Sequence, residues 1–380
     1  MPGKHHAQGG HSTQFYIIAV CAACVILVGI AAAGFLFSDR LSQKEPQPSL
    51  TPSPTKGSFP TAAPVSTPQA TPTPEPSPTP GPIPDNGQDG YLSEGIYIWN
   101  DMAFELFYGY NDAAEPYAQA IESFAQRLPS ARVYNMVVPN HCEFGLPERL
   151  RDNLGCGSQR ENTAYIYDSY SAVTPVDIYD AFDQHKQEYL YFNTDTHWAG
   201  LGAYYAYEEF CQVAELSPSP LESFTVSSYE DFHGYLYQIS GEDCLLNNSD
   251  RIDLYEPGFR YTAELSEDGY SFTELSGINS SDPDRGYSMF MWGDQPCMRV
   301  VNNSSFTGRK LALVKESYGN AIGPFLAASF DELYVIDFRS FAGSLPELVD
   351  THGITDVLFL NSTIAANTYQ RVEELYTLFP

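Results

Sequence analysis

Basic residues are scarce: 19 Lys and Arg stand against 48 Asp and Glu in 380 residues, a formal net charge of -29. No basic run exists to neutralise phosphates, so no nucleic-acid partner is expected. The acidity suits an exposed domain kept soluble by self-repulsion. Cysteine is sparse as well. Of the 7 cysteines, Cys21 and Cys24 lie in an apolar stretch, leaving Cys142, Cys156, Cys211, Cys244 and Cys297. That is too few for a disulfide scaffold and an odd number for complete pairing. The nearest pairings in sequence join Cys142 to Cys156 and Cys244 to Cys297. No second CxxC follows at zinc spacing, so neither a structural metal nor a cofactor is expected. A Gly-x-Ser-x-Gly elbow is also missing, which leaves a lipase or peptidase without support.

Long apolar runs are absent too, with one exception. Phe15 to Phe37 reads FYIIAVCAACVILVGIAAAGFLF without a charge, long enough to cross a bilayer as a helix. Residues 1–14 would form a cytoplasmic tail. Lys4 on one side faces Arg40 and Lys44 on the other, so charge sets the orientation only weakly. Cleavage after the small residues Ala31 to Ala33 would instead release a secreted protein. The run continues past them to Phe37, which favours an uncleaved single-pass anchor with the bulk of the chain outside. Half of the chain's 28 prolines follow between residues 46 and 84, interleaved with Thr and Ser. Such a segment buries no core and favours extended polyproline II, so residues 38–89 are expected as a disordered stalk.

From about residue 90 the composition becomes globular, and 90–380 is expected as one domain. Gly95 to Trp99 is a strand candidate. Ala113 to Leu128 has apolar residues at helical spacing, and Ala131 to Pro139 reads as a buried strand ended by proline. A helix over 164–171, a strand over 173–179 and a helix over 200–213 continue the alternation. Buried strands at 310–314, 332–336 and 356–360 resume it, with helical stretches at 321–329 and 343–350. Strand alternating with helix predicts an α/β fold with a mainly parallel sheet. Ligands gather beyond the carboxyl ends of such strands, so Pro139-Asn140-His141 marks the rim of a site. Between 216 and 309 short Tyr- and Gly-punctuated runs suggest a β-rich insertion or cap. The 27 Tyr serve equally as sheet and core residues or as faces on which sugars stack.

The chain's most distinctive stretch is Asn193-Thr-Asp-Thr-His-Trp198. Residues i and i+2 of an extended segment point the same way, so Asp195 and His197 can meet. A carboxylate beside an imidazole fixes its tautomer and stabilises the imidazolium, as a general base for a hydroxyl nucleophile requires. A structural hydrogen-bonded pair or a metal-ligand pair would read the same way. Ser317 stands where strand 310–314 turns into the following helical stretch. A serine there either caps a helix or serves as an exposed nucleophile beside backbone N–H groups.

Thr194-Asp-Thr-His-Trp198 with Gly202-Ala-Tyr-Tyr-Ala-Tyr207, followed by Lys315-Glu-Ser-Tyr-Gly-Asn-Ala321 and Tyr334-Val-Ile-Asp-Phe-Arg339, resembles the DHHW family of bacterial surface proteins. That family is related to the alginate O-acetylation proteins and to SGNH hydrolases. The resemblance covers roughly Gly95 to the C-terminus. It implies a three-layer SGNH-hydrolase-like α/β sandwich with Ser317 as nucleophile, His197 as base and Asp195 as orienting acid. Two departures stand out: Thr196 replaces the first His of the family name, and Glu316 stands where an Asp commonly precedes the serine. Asn320, Tyr318, Arg339, Asn140 and Trp198 are candidates for substrate or oxyanion contacts, with Asn361 a further one. The implied activity is acyl transfer at carbohydrate hydroxyls, as O-acetyltransferase or esterase, with a cell-surface polysaccharide as acceptor and a membrane-bound acyl-transfer partner. The alternative is a catalytically silent surface module that binds polysaccharide or such a partner.

Overall fold

A strand covered on both faces is apolar nearly throughout, and strands of that kind fill the centre of this molecule. The computed structural model describes residues 82–109 and 113–380. Three short antiparallel strands, β1 (Tyr91–Ser93), β2 (Ile96–Trp99) and β3 (Met102–Phe104), form a small sheet of their own. The main sheet is built on β4 (Arg132–Val138), β11 (Lys310–Lys315), β12 (Glu332–Asp337) and β13 (Asp356–Ser362), buried at almost every position. These run parallel, in the order β4-β13-β11-β12. A two-residue strand, β5 (Thr174–Pro175), joins the outer edge of β4 in the same direction.

Three antiparallel strands complete an eight-stranded mixed sheet beyond β12: β10 (Cys297–Asn302), β8 (Tyr261–Ser266) and β9 (Thr273–Glu274). The expectation of a mainly parallel sheet with a separate β-rich cap therefore holds only in part. Strands from within 216–309 cover the otherwise open edge of β12, which an exposed edge strand requires. The remaining strands of that stretch, β6 (Phe224–Phe232) and β7 (Asp250–Pro257), pair as a ribbon with a bulge between Tyr229 and Phe232.

Period-two alternation sorts the central strands into two cores. Leu311 and Leu313 face Ala203, Tyr207 and Phe210 of the Gly200–Val213 helix on one side. Ala312 and Val314 face Phe124 of the Ala114–Gln126 helix and Leu348 of the Leu345–His352 helix on the other. Helix, sheet and helix thus form three layers.

Local expectations fail where turn chemistry intervenes. The strand expected over 173–179 pairs only at Thr174 and Pro175, its last bond to β4 running from Val176 N–H to Asn135 O at 2.9 Å. Asp177 Oδ1 then accepts from Tyr179 N–H and starts the Tyr179–His185 helix. Of the helix expected over 321–329 only Gly323–Leu326 forms, after a separate 3-10 turn, Ser317–Asn320. All five described cysteines are free thiols. Cys142 accepts from Gln159 Nε2 at 3.2 Å, and Cys244 lies beside Tyr91 while Cys297 is buried in β10. Among the described residues no helix is long and apolar enough to cross a membrane. The apolar run 15–37 and most of the proline-rich stalk lie outside the described residues. The stalk's expected end at 89 is overrun, since Arg149 binds Asp85 and Asp89.

Candidate active site

The site lies at the carboxyl edge of the parallel strands, where β11 and β12 end together at Lys315 and Asp337 and the paired ends of β4 and β13, Val138 and Ser362, reach two residues further. Ser317 begins the 3-10 turn after β11, the innermost position on that edge. Asp195 and His197 arrive on a loop fastened by a buried carboxylate, Asp250. Its Oδ1 accepts from Asn193 N–H and the Tyr189 hydroxyl, each at 2.6 Å. Its Oδ2 accepts from Thr194 N–H at 2.8 Å and the Thr194 hydroxyl at 2.6 Å. On the other flank Trp198, fully buried, donates its indole N–H to Tyr318 O at 2.8 Å. The loop is therefore fixed at both ends.

Within it, His197 Nδ1 lies 2.6 Å from Asp195 Oδ1 and His197 Nε2 lies 2.8 Å from Ser317 Oγ. An ionised Asp195 accepts only, so Nδ1 carries the ring proton and Nε2 is left to accept the serine hydroxyl. Asp195 Oδ1 also accepts from His197 N–H at 3.1 Å, and Oδ2 from Tyr235 N–H at 2.7 Å. Burial pushes the Asp195 carboxyl up, but the His197 imidazole and these N–H donors outweigh it and hold it below the usual range. Gly234 permits the approach: a Cβ there would stand 2.2 Å from Asp195 Cβ. The His197 ring stacks on Tyr287, centroids 3.7 Å apart and planes 5° off parallel. Glu316 secures the Ser317–Asn320 turn, accepting from Tyr318 N–H at 3.3 Å and Ser362 N–H at 2.9 Å.

A cleft of about 890 Å³ opens over Ser317 and His197. One wall is a charge network. Lys315, with no exposed surface, donates to Asp294 Oδ1 at 3.0 Å and Asp337 Oδ2 at 3.1 Å. Arg339 holds both oxygens of Asp337, with Nε 2.8 Å from Oδ1, and reaches Asp294 Oδ2 at 2.7 Å. Burial opposes ionisation of Asp294, yet Lys315 and Arg339 keep it well below the usual carboxylate range.

Of the sequence candidates, Ser317, His197 and Asp195 come together, and Asn320 and Arg339 line the same cleft. Asn320 gives one of its two amide hydrogens to Asp294 Oδ1 at 2.9 Å. Four others lie behind the site. Asn140 donates to the Tyr318 hydroxyl at 3.1 Å and accepts from Ile364 N–H at 3.3 Å. Tyr318 donates to Thr196 O, and Trp198 to Tyr318 O. Asn361 accepts from the Tyr117 hydroxyl at 3.0 Å in the interior. Asn140, Tyr318, Trp198 and Asn361 thus brace the site rather than face the cleft. Sequence reasoning missed Asp250, Tyr287, Gly234, Asp294, Lys315 and Glu105. Among the described residues no group of three or more His, Cys, Asp or Glu could hold a metal ion.

Glu105 follows β3 and accepts from the Thr196 hydroxyl, beside the Asp195 and His197 pair. Burial pushes its carboxyl up to about 7; His197 opposes the shift, and Asp195 and Glu316 add to it. Below its ordinary value near 4.5 both folded and unfolded chains hold this proton. Between that value and about 7 only the folded chain does, so stability falls as pH rises. Glu105→Gln removes the term. Chemical denaturation should find the variant gaining on the parent by on the order of 1–3 kcal/mol from pH 5 to pH 8. A pH-independent difference would exclude this account of Glu105.

A strand-end serine, hydrogen-bonded to a histidine that a carboxylate orients, at the carboxyl edge of a three-layer mixed α/β sheet, defines the structural class. The chain belongs to the DHHW family, whose model, described as "DHHW protein", matches residues 85–336. A DHHW family protein from Eubacterium siraeum is 32% identical, with 77% of this chain and 98% of that chain covered at a TM-score of 0.70. Bacillus cereus PatB1, solved with a sulfonyl adduct, is similar in fold at 20% identity, covering 73% of this chain and 96% of its own, TM-score 0.59. The O-acetyltransferase domain of Pseudomonas putida AlgJ matches more weakly, at 13% identity, 76% and 98% coverage and TM-score 0.42. No curated protein matches the chain in sequence.

Proposed function

We propose that this protein is a serine-dependent O-acyltransferase or esterase that moves acetyl groups on or off a cell-surface polysaccharide. The observation that carries the reading is the continuous relay from Asp195 through His197 to Ser317, open to the cleft. His197 Nε2 takes the Ser317 proton as Oγ attacks the acetyl carbonyl. The ester C–O bond of the donor breaks, and the imidazolium returns the proton to the departing alkoxide. An acceptor hydroxyl, or water, then gives its proton to His197 and takes the acetyl group, and Oγ is released with its proton restored. Tyr287 covers one face of the imidazole and limits its rotation away from Ser317. On this reading the apolar run 15–37 anchors the chain in the membrane, N-terminus inside, and the stalk carries the catalytic domain outward. The acetyl group would come from a membrane-bound acyl-transfer partner.

The sulfonyl adduct carried by PatB1 suggests the probe. A sulfonyl fluoride should label the full-length chain progressively at Ser317. Ser317→Ala and His197→Ala should abolish both labelling and hydrolysis of a small acetyl ester. Labelling equal to the Ser317→Ala background in a folded chain would favour the silent binding module instead.

A further inference from the structure

The cleft has a second wall that the chemistry above leaves unused. It is formed by the end of β6 and the Tyr235–Ser240 helix. Tyr235 occupies an unusual position there. Its backbone N–H is committed to Asp195 Oδ2 at 2.7 Å, which fixes the residue beside the relay. Its side chain lines the cleft and is 55% exposed. Among the described residues, no aromatic ring, cation or hydrogen-bonding group contacts that ring. Of the cleft's other aromatics, Tyr287 stacks on His197, Phe232 packs edge-on against Phe192, His233 lies against Tyr237, and Tyr229 is partly buried against the core. An aromatic plane left bare beside a nucleophile provides no core packing and is suited to receiving a flat apolar face. Gln238, one helical turn on and also exposed, lines the cleft on the same side. Its amide offers both a donor and an acceptor.

The charge around this wall narrows the occupant. Glu230 and Asp231 flank it, and Asp284 stands across the cleft. Arg339 is already neutralised by Asp337 and Asp294, and Arg371 is paired with Glu374. Arg285 remains, donating to the carbonyls of Ser288 and Trp292. A uronate or phosphate-bearing chain would meet net repulsion here, on a protein of formal charge -29. An uncharged sugar would not.

We infer that Tyr235 and Gln238 form an acceptor subsite for an uncharged pyranose unit of a glycan chain, the ring of Tyr235 stacking on the sugar's C–H face and the amide of Gln238 bonding its hydroxyls. The inference rests on the proposed acyl transfer for its biological meaning, but it can be tested without turnover. In the full-length chain carrying Ser317→Ala, isothermal titration should detect binding of cellotetraose or chitotetraose, and tighter binding of at least one of them than of tetragalacturonate. Adding Tyr235→Ala should weaken that binding by about tenfold or more, whereas Tyr235→Phe, which keeps the ring, should stay within about twofold. Gln238→Ala should lose a few-fold. Should Tyr235→Ala melt early, Tyr235→Gln serves as the ring-free variant. Failure of both neutral chains to bind, tighter binding of the uronate, or ring-free variants that bind like the parent would overturn the assignment. Sulfonyl labelling reads the nucleophile and titration reads the subsite, so the two proposals can fail separately.

Discussion

Asp195→Asn is expected to lower turnover of an acetyl ester by roughly 10⁴-fold with little change in KM, the scale set by the same exchange in a Ser-His-Asp triad. The reason is that both oxygens of this carboxylate are met by donors. Oδ1 accepts from His197 Nδ1 at 2.6 Å and His197 N–H at 3.1 Å, and Oδ2 accepts from Tyr235 N–H at 2.7 Å. An amide must turn its NH₂ one way or the other. Toward His197, it forces Nδ1 to accept, moves the ring proton to Nε2 and leaves Ser317 without a base. Toward Tyr235, it sets two donors against each other in a buried pocket, at a cost of about 1–3 kcal/mol. The first choice removes the correct tautomer and also turns the NH₂ against His197 N–H; the second keeps an acceptor on Nδ1–H but opposes Tyr235 N–H with a donor. Rates of sulfonyl labelling should fall in parallel with turnover, since both need the Ser317 proton removed. A loss of less than tenfold in both, with an unchanged melting temperature, would mean that Asp195 does not orient the base.

How far this site could be read in the sequence depended on the range of the interactions involved. Asp195 and His197 are two residues apart, so strand geometry alone makes their side chains neighbours. The run Lys310 to Val314 declared a doubly covered strand, and the helix expected over 200–213 matches its observed limits. Asp250 fastens the loop of Asp195 and His197 from more than fifty positions further on, and nothing in Asn248-Ser-Asp-Arg251 distinguishes it from a surface carboxylate. The strands β8 and β10 looked like parts of a cap because their place is fixed by pairing, β10 on β12 and β8 on β10, a non-local event that composition does not encode. Asn140 was located on the right edge of the sheet, yet its side chain turns inward to Tyr318. Position along the chain told which rim it occupies, while packing decided which way it points. Lys315 is the sharpest such case, since a lysine after an apolar strand usually marks the return to solvent.

Lys315→Met should destabilise the fold by about 3–5 kcal/mol, the range for breaking a buried ion pair by removing one partner. Methionine keeps much of the stem's volume, so a cavity contributes little, and the loss reports the charge. The ammonium sits between Asp294 and Asp337, with Asp337 only 1% exposed, and Arg339 alone would be left to balance two carboxylates. Asp337 ionises below the usual range: burial opposes this, and the Arg339 hydrogen bond and the Lys315 charge overcome it. With Lys315 gone it must either hold its charge with one partner or take up a proton. Urea denaturation at neutral pH should therefore find the loss largest above the ordinary carboxylate range and smaller on acidification, where protonation relieves the imbalance. Lys315→Met combined with Asp337→Asn should lose less than the sum of the single changes, because the second removes the charge the first has stranded. Additive losses, or a single-variant loss below about 1 kcal/mol, would rule out a coupled network and leave ordinary surface-like pairs. The functional consequence follows from the same bonds. Asp294 fixes the Asn320 amide and, with Asp337, the Arg339 guanidinium, so one buried charge sets the shape of the wall that faces Ser317 across the cleft.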